Sequence, residues 1–297
     1  MPRVKQRPQG LATRYSGVAF VTPSFIILTV IVVIPIIMTL YFSFTSYSIL
    51  GSPNWSGTAN YERLVADEAF RSALGNTAIY TLISVPLQTV ISLLVAALLA
   101  ARFRNRMGGF VRSALFIPVM SSMIVVGTVW RFIFGTDDGL MNAMLGAFGI
   151  DGVNVLGNPQ LALLAVSLVT VWKNIGYFLV IYYAAIMEIP RELYEASSID
   201  GAGPFKQFRF ITIPALRPIT FLVVILGTIW SFQVFDLVYT MTGGGPGGAT
   251  VTLVMAIYQA GFKNYQMGYA SAMAIVLFVI VLVIAIVQRR LLAKSNV

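Results

Sequence analysis

The sequence predicts an all-α integral membrane protein with six transmembrane helices and both termini in the cytoplasm. Three observations predict it. Of the 297 residues, 58% are hydrophobic and only 10% charged, whereas soluble domains carry about 25% charged residues. A soluble chain of this length needs a polar surface that these residues cannot make. Six apolar stretches each reach the roughly 20 residues that cross a bilayer as a helix. The Lys and Arg residues gather in every second connection, which orients the chain.

The elements follow in order. Residues 1–17 form a basic tail with Arg3, Lys5, Arg7 and Arg14. The first apolar stretch, 18–44, exceeds the roughly 7–15 residues of a cleaved signal's apolar region, so it reads as a retained span. The transmembrane domain then extends over 18–297, with further spans at about 73–101, 109–134, 161–187, 218–240 and 268–288. The second contains Gln88 and the fourth contains Lys173 and Asn174. Residues 270–287 of the last carry no charge. With six spans, the tail, the 102–112 loop, the 188–217 loop and the C-terminus share a side. That side holds fifteen of the 20 Lys and Arg residues. The opposite segments, 45–72, 135–160 and 241–267, read as turns and short helices, as in Asp137-Asp138-Gly139 and Gly157-Asn158-Pro159.

Several chemistries are excluded. There is no Cys and no His, which removes the usual zinc and iron–sulfur ligands, a thiol nucleophile and an imidazole base. No catalytic residue, metal site or cofactor is expected on this chain. The net charge of +9 first suggests nucleic acid. Yet the positive residues sit in short clusters between apolar runs, so membrane lipid is the expected partner and nucleic acid is not. The Gly-rich run 243–248 invites a phosphate-loop reading. It lacks the following Gly-Lys-Ser/Thr and falls on the outer side.

The most informative segment is cytoplasmic and runs from Pro190 to Pro214. Pro190 suits the first turn of a helix, and Glu192 complements its positive end. Gly201 stops that helix. Pro204 opens a second short helix, which Pro214 ends. Leu193, Ala196 and Ile199 or Asp200 recur at helical spacing and leave a mixed apolar and acidic face. On physics alone, this helix–turn–helix equally reads as a connector resting on the bilayer.

The spacing within it resembles that of a known family. Binding-protein-dependent permeases carry Glu-Ala-Ala, three residues, Gly, nine residues, then Ile-x-Leu-Pro. Here stand Glu195-Ala196-Ser197, three residues, Gly201, nine residues, then Ile211-Thr212-Ile213-Pro214. Ser197 and Ile213 are the departures. The resemblance implies a type I ABC importer permease-like fold. It also implies that the 188–217 loop is a coupling element docking on an ATPase, through Glu195, Ala196, Ser197, Asp200, Gly201, Ile211 and Pro214. ATP and Mg would then sit on that partner and not on this chain. The implied partners are a second homologous permease, two ATPase subunits and an extracytoplasmic sugar-binding protein. The setting is the cytoplasmic membrane of a bacterium or archaeon. Asp200-Gly201-Ala202-Gly203, Thr242-Gly243-Gly244-Gly245-Pro246 and, more loosely, the 55–61 stretch from Trp55 to Tyr61 resemble the sugar-importing branch, the maltose and glycerol-phosphate class.

Polar residues within apolar spans usually face a cavity or a partner. Span four carries Trp172, Lys173, Asn174 and Tyr177; span five carries Trp230, Ser231, Gln233 and Asp236. Rings beside amides suit a sugar, whose C–H face packs on a ring while its hydroxyls pair with polar groups. Each residue also has a plainer reading, since Trp and Tyr favour interfaces and Asn and Gln bond neighbouring helices. The resemblance adds weight to 172–177, where maltose-class permeases place sugar contacts. At ~1.5 Å per residue, Lys173 and Asp236 fall at similar depth. They are expected to neutralise each other, or Lys173 to donate to a substrate hydroxyl. The expected function is therefore the permease subunit of an ATP-driven carbohydrate importer working by alternating access. The alternative is an ion-coupled secondary transporter or channel with no ATPase, for which Asp236 is the only intramembrane carboxylate available. An intramembrane enzyme lacks the paired groups it needs.

Overall fold

The computed structural model describes residues 11–103, 106–136 and 139–293, with side chains described from residue 20 to residue 290. Most of the basic tail, Arg104, the Asp137-Asp138 pair and Lys294 lie outside the described residues. Among those described, the chain is helical and its only β pairing is a single Thr45–Trp55 bridge.

Helix is the form these apolar stretches must take, because in lipid each backbone N–H and C=O has to bond within its own segment. Leu11–Leu28, the π turn Thr29–Val33 and Ile34–Ser43 run on as one helix, α1. From Phe20 to Tyr41 its apolar side chains are exposed, Phe20 at 87% and Ile31 at 67%. A helix of that kind finds its apolar surroundings in lipid. Next come α2 (Ala59–Ala66) and the long α3 (Glu68–Arg102). Asp67 caps α3 by accepting from the Ala69 and Phe70 N–H groups at 2.8 and 3.4 Å. It also accepts the Tyr269 hydroxyl. Burial alone would raise the Asp67 carboxyl, but these bonds and nearby Arg63 more than offset it and hold its pKa below the usual value.

The chain continues through α4 (Arg106–Met120), α5 (Met123–Ile133), α6 (Leu140–Ala147) and α7 (Pro159–Met187). It then forms α8 (Arg191–Ile199), α9 (Pro204–Ala215), α10 (Arg217–Phe232) and α11 (Asp236–Met241). Leu253–Tyr258 with the π turn Gln259–Lys263 makes α12, and Met267–Ala293 makes α13. The pair α3 and α7, which run in the same direction, is the spine of the bundle. Ala73, Thr77, Tyr80, Ser84, Gln88, Ser92 and Ala96 recur every three or four residues on the buried face of α3. Such small and polar residues let helices approach closely in a membrane. α10 packs on α3, α4 on α7, α11 on α5, and α12 and α1 on α13. At Gly176 of α7, an added Cβ would collide with the Leu115 carbonyl of α4.

Among the described residues four helices are individually long and apolar enough to cross a membrane, and counting each of two bent pairs as one span brings the number to six. Breaks interrupt both of the straight spans expected at 109–134 and 218–240. The first stretch is α4 and α5, meeting at 98°. Pro118 withholds a donor there, and Ser122 takes an extended conformation and caps α5 through the Ile124 N–H. The second is α10, which stops at Phe232, followed by three non-helical residues and then α11. Pro214 does not end its helix either. The Ile213 N–H reaches back five residues to the Phe208 carbonyl. This π turn widens the helix ahead of a residue that has no N–H and crowds the preceding turn. The helix runs on to Ala215 and then bends by 67° into α10.

Candidate functional site

The two breaks between α4 and α5 and between α10 and α11 lie beside one cavity of about 230 Å³. α3 contributes Tyr80. α7 contributes Thr170 and Asn174, one turn apart. Met123 comes from the start of α5. Trp230 and Ser231 end α10, Gln233, Val234 and Phe235 form the break, and Asp236 and Leu237 open α11. Unwound backbone at membrane depth is tolerated where it lines a cavity. The Tyr80 hydroxyl and Thr170 Oγ1 bond at 2.7 Å. Asn174 donates Nδ2 to Gln88 Oε1 at 3.1 Å. Gln88 lies against Gly227, and its Nε2 has no partner. Trp230 packs at 5.1 Å on Tyr177 and 5.6 Å on Phe178. The wall thus pairs aromatic rings with an amide, hydroxyls and a carboxylate at a helix N-terminus.

Of the pathway residues expected from sequence, Asn174, Trp230, Ser231, Gln233 and Asp236 line this cavity. Tyr177 stands behind Trp230. Trp172 points away, 42% exposed and edge-on to Trp130 at 5.5 Å. Lys173 is 7% exposed and donates to the Val119 carbonyl at 3.2 Å. That carbonyl is one of the orphan acceptors at the end of α4, where a cation is favoured. The expected Lys173–Asp236 pair does not form. Among the described residues the one ion pair is the exposed Arg71–Glu68, at 3.9 Å. Equal depth does not fix which way a helical side chain points. Lys173 turns to the α4 break, whereas Asp236 sits at the positive start of α11. Lys173→Ala and Asp236→Asn should therefore act independently. In a double-mutant cycle on uptake their free energies should add to within about 0.5 kcal/mol; a larger coupling would restore the pair.

Tyr80, Met123, Thr170, Val234, Phe235 and Leu237 were not anticipated as lining residues. Thr170 was within reach of sequence, lying four positions before Asn174. The others arrive through tertiary packing and the break in α10–α11.

The cytoplasmic segment forms a second feature. Gly201, at φ +75°, ends α8. Its N–H bonds the Ser198 carbonyl at 3.1 Å, and the Ala202 N–H bonds the Ser197 carbonyl at 2.9 Å, a Schellman pattern. Gln207 of α9 clasps α8 by donating to the Tyr194 carbonyl, Ser197 Oγ and Ser198 Oγ at 3.1, 3.0 and 2.8 Å. The Tyr194 hydroxyl meets Thr212 Oγ1 at 2.9 Å. Glu195, Ala196, Asp200 and Gly201 are exposed, and Ser197, Ile211 and Pro214 are partly buried. Ile199 and Phe205 project at the corner, 88% and 79% exposed.

The family described as "Binding-protein-dependent transport system inner membrane component" matches residues 64–296. The chain belongs to this family. The permease is thus a transport subunit and a multi-pass inner-membrane protein. It is 34% identical to the sulfoquinovosyl glycerol transport system permease protein SmoG of Agrobacterium fabrum, over 96% of its own length and 93% of the relative's. It is 33% identical to the trehalose/maltose transport system permease protein MalF of Thermococcus litoralis, over 91% of each chain. In fold it matches a chain of a bacterial ABC transporter involved in the import of alginate, with a TM-score of 0.86 at 22% identity, over 96% of the permease and 97% of that chain.

Proposed function

We propose that this permease forms half of the path by which a carbohydrate crosses the cytoplasmic membrane of a bacterium or archaeon. In this reading it pairs with a second, homologous permease. An extracytoplasmic binding protein delivers the sugar, and two ATPase subunits hold ATP and Mg and hydrolyse the nucleotide. The cavity carries the proposal. Trp230 and Phe235 offer ring surface to the C–H face of a sugar, while Asn174, Ser231, Gln233 and Asp236 offer hydroxyl partners. The names of the relatives, which include trehalose/maltose and sulfoquinovosyl glycerol transport, support the same substrate class.

The exposed corner between α8 and α9 is the proposed dock for the ATPase, with Glu195, Ala196, Ser197, Asp200, Gly201, Ile211 and Pro214 as its signature. α9 leads through the 67° bend into α10, whose far end bears Trp230 and Ser231. Closure of the ATPase pair would move α8–α9 as one clasped unit and reach the cavity along α10. Alternating access follows when the two permeases rock about it.

The test is uptake in cells lacking their own sugar importers and expressing the complete transporter. Radiolabelled maltose, trehalose, lactose, arabino-oligosaccharides and oligogalacturonates should be offered in turn. ATP-dependent uptake of at least one is expected. Trp230→Ala should cut it by on the order of tenfold or more at normal membrane level, the loss of a ring contact plus its desolvation. Uptake of amino acids but of no saccharide would overturn the substrate class.

A further inference from the structure

Four aromatic rings lead away from the cavity. Phe235 forms part of its wall. The Tyr258 ring stands 5.0 Å from Phe235, centroid to centroid, and Phe262 lies 5.7 Å beyond Tyr258 in a stacked arrangement. Tyr239 closes the group, stacked on Phe235 at 5.3 Å and edge-on to Tyr258 at 5.7 Å. Phe235 and Tyr258 are half-buried, while Tyr239 is 43% and Phe262 60% exposed. The row therefore starts at the cavity and ends at the surface of the 241–267 segment, on the side that sequence places outside.

Local sequence builds this row from two short elements. Phe235 and Tyr239 are four residues apart at the start of α11. Tyr258 and Phe262 are four apart in α12, where the Gln259–Lys263 π turn begins. Residues at that spacing share a helix face. The two faces meet, so the rings interleave. Gln233 and Asp236 stand exposed beside Phe235, and two of the four rings carry phenol hydroxyls. A purely lipid-facing surface has no use for an opening into a polar cavity, and this row runs into one.

We propose that the Phe235–Tyr239–Tyr258–Phe262 row is an entry subsite that holds the third and later units of an extended saccharide while its first two occupy the cavity and its mouth. The proposal rests on the carbohydrate reading above and deepens it. Each ring step is comparable with one hexose unit. Sugar C–H faces pack on ring surface, and hydroxyls pair with the phenols and with the polar groups at the cavity mouth. A disaccharide seated in the cavity has no unit left for the outer rings. The row therefore sets chain-length preference and leaves the basic transport step alone.

The experiment uses the complete transporter in membrane vesicles, with saturating binding protein on the outer side. Probes are pairs from one series each: maltose and maltohexaose, arabinobiose and arabinohexaose, digalacturonate and hexagalacturonate. Maximal uptake rates are measured for wild type, Tyr239→Ala, Phe262→Ala, Phe262→Leu and Phe262→Tyr. The three ring-removing variants should lower the hexasaccharide rate by on the order of fivefold, the scale of one ring contact. Their disaccharide rate should stay within about twofold of wild type on the same scale. Phe262→Tyr should keep both rates. Several outcomes overturn the subsite: hexasaccharide uptake unchanged in Phe262→Leu, equal loss for both lengths, loss of the second permease on copurification, or a wild type that carries only the disaccharide. Wild-type uptake of none of the six probes would bring down the carbohydrate reading itself, and the subsite with it.

Discussion

Gly201→Pro is expected to abolish uptake while leaving the permease in the membrane at its normal level. The residue sits at φ +75°, and proline is locked near −65°. The substitution also removes the Gly201 N–H that bonds the Ser198 carbonyl. The turn would have to open, and with it the registration that Gln207 holds between α8 and α9. Nothing lies within 4 Å of the place a Cβ would take, so the effect is one of backbone conformation and not of crowding. This makes a graded series informative. Gly201→Asn should retain most uptake, because asparagine visits the left-handed region readily. Gly201→Ala strains the turn by about 1–2 kcal/mol, which corresponds to a loss of about fivefold to thirtyfold if the whole strain falls on the productive state. Copurification of the ATPase should follow the same order, Asn above Ala above Pro. Wild-type uptake by Gly201→Pro would remove this corner from the coupling mechanism.

What sequence made legible follows from which physical signal each feature leaves. The membrane fold leaves a strong one, since long runs without charge have few other uses. The helix breaks leave a weak one. A 98° bend between α4 and α5 does not interrupt the apolar run 109–134, so hydropathy reads straight through it. Pro118 and Ser121-Ser122 were the available hints. Likewise Gln233 and Asp236 were read as polar residues on a continuous span, when the same residues mark the end of one helix and the start of another. The Lys173–Asp236 expectation failed for a different reason. Counting residues gives depth along a helix, and only packing gives the direction of a side chain. Asn174 and Trp230, which both line the cavity, stand out in the sequence because both are costly or bulky polar-edged residues in apolar runs. Tyr80 and Thr170 were passed over because a tyrosine or threonine there is unremarkable until the two hydroxyls meet. The aromatic row was beyond reach, as its two halves are separated by the whole 240–257 connection.

Asn174→Leu should lower both the amount of folded permease and its uptake, and the two losses should be separable. Asn174 and Gln88 are 8% and 1% exposed and bonded to each other across α7 and α3. Gln88 Nε2 already lacks a partner. Removing Asn174 strands Gln88 Oε1 as well, at about 1–3 kcal/mol for a buried orphan. Detergent-solubilised permease should then unfold at a lower temperature. Adding Gln88→Met removes the stranded amide while keeping an unbranched chain of similar shape against Gly227. Replacing both partners by apolar groups can be nearly neutral, so the double variant should regain most of the lost thermal stability. Uptake should not return with it. Asn174 lines the cavity, and a leucine there leaves a substrate hydroxyl unpaired, a further loss of about 1–3 kcal/mol, or roughly 5- to 150-fold in rate. If uptake recovers in step with stability, the amide pair is scaffold alone and Asn174 is no part of the path. If stability stays low in the double variant, the orphaned amide is not what destabilises Asn174→Leu, and the tight α3–α7 packing around position 174 becomes the better account.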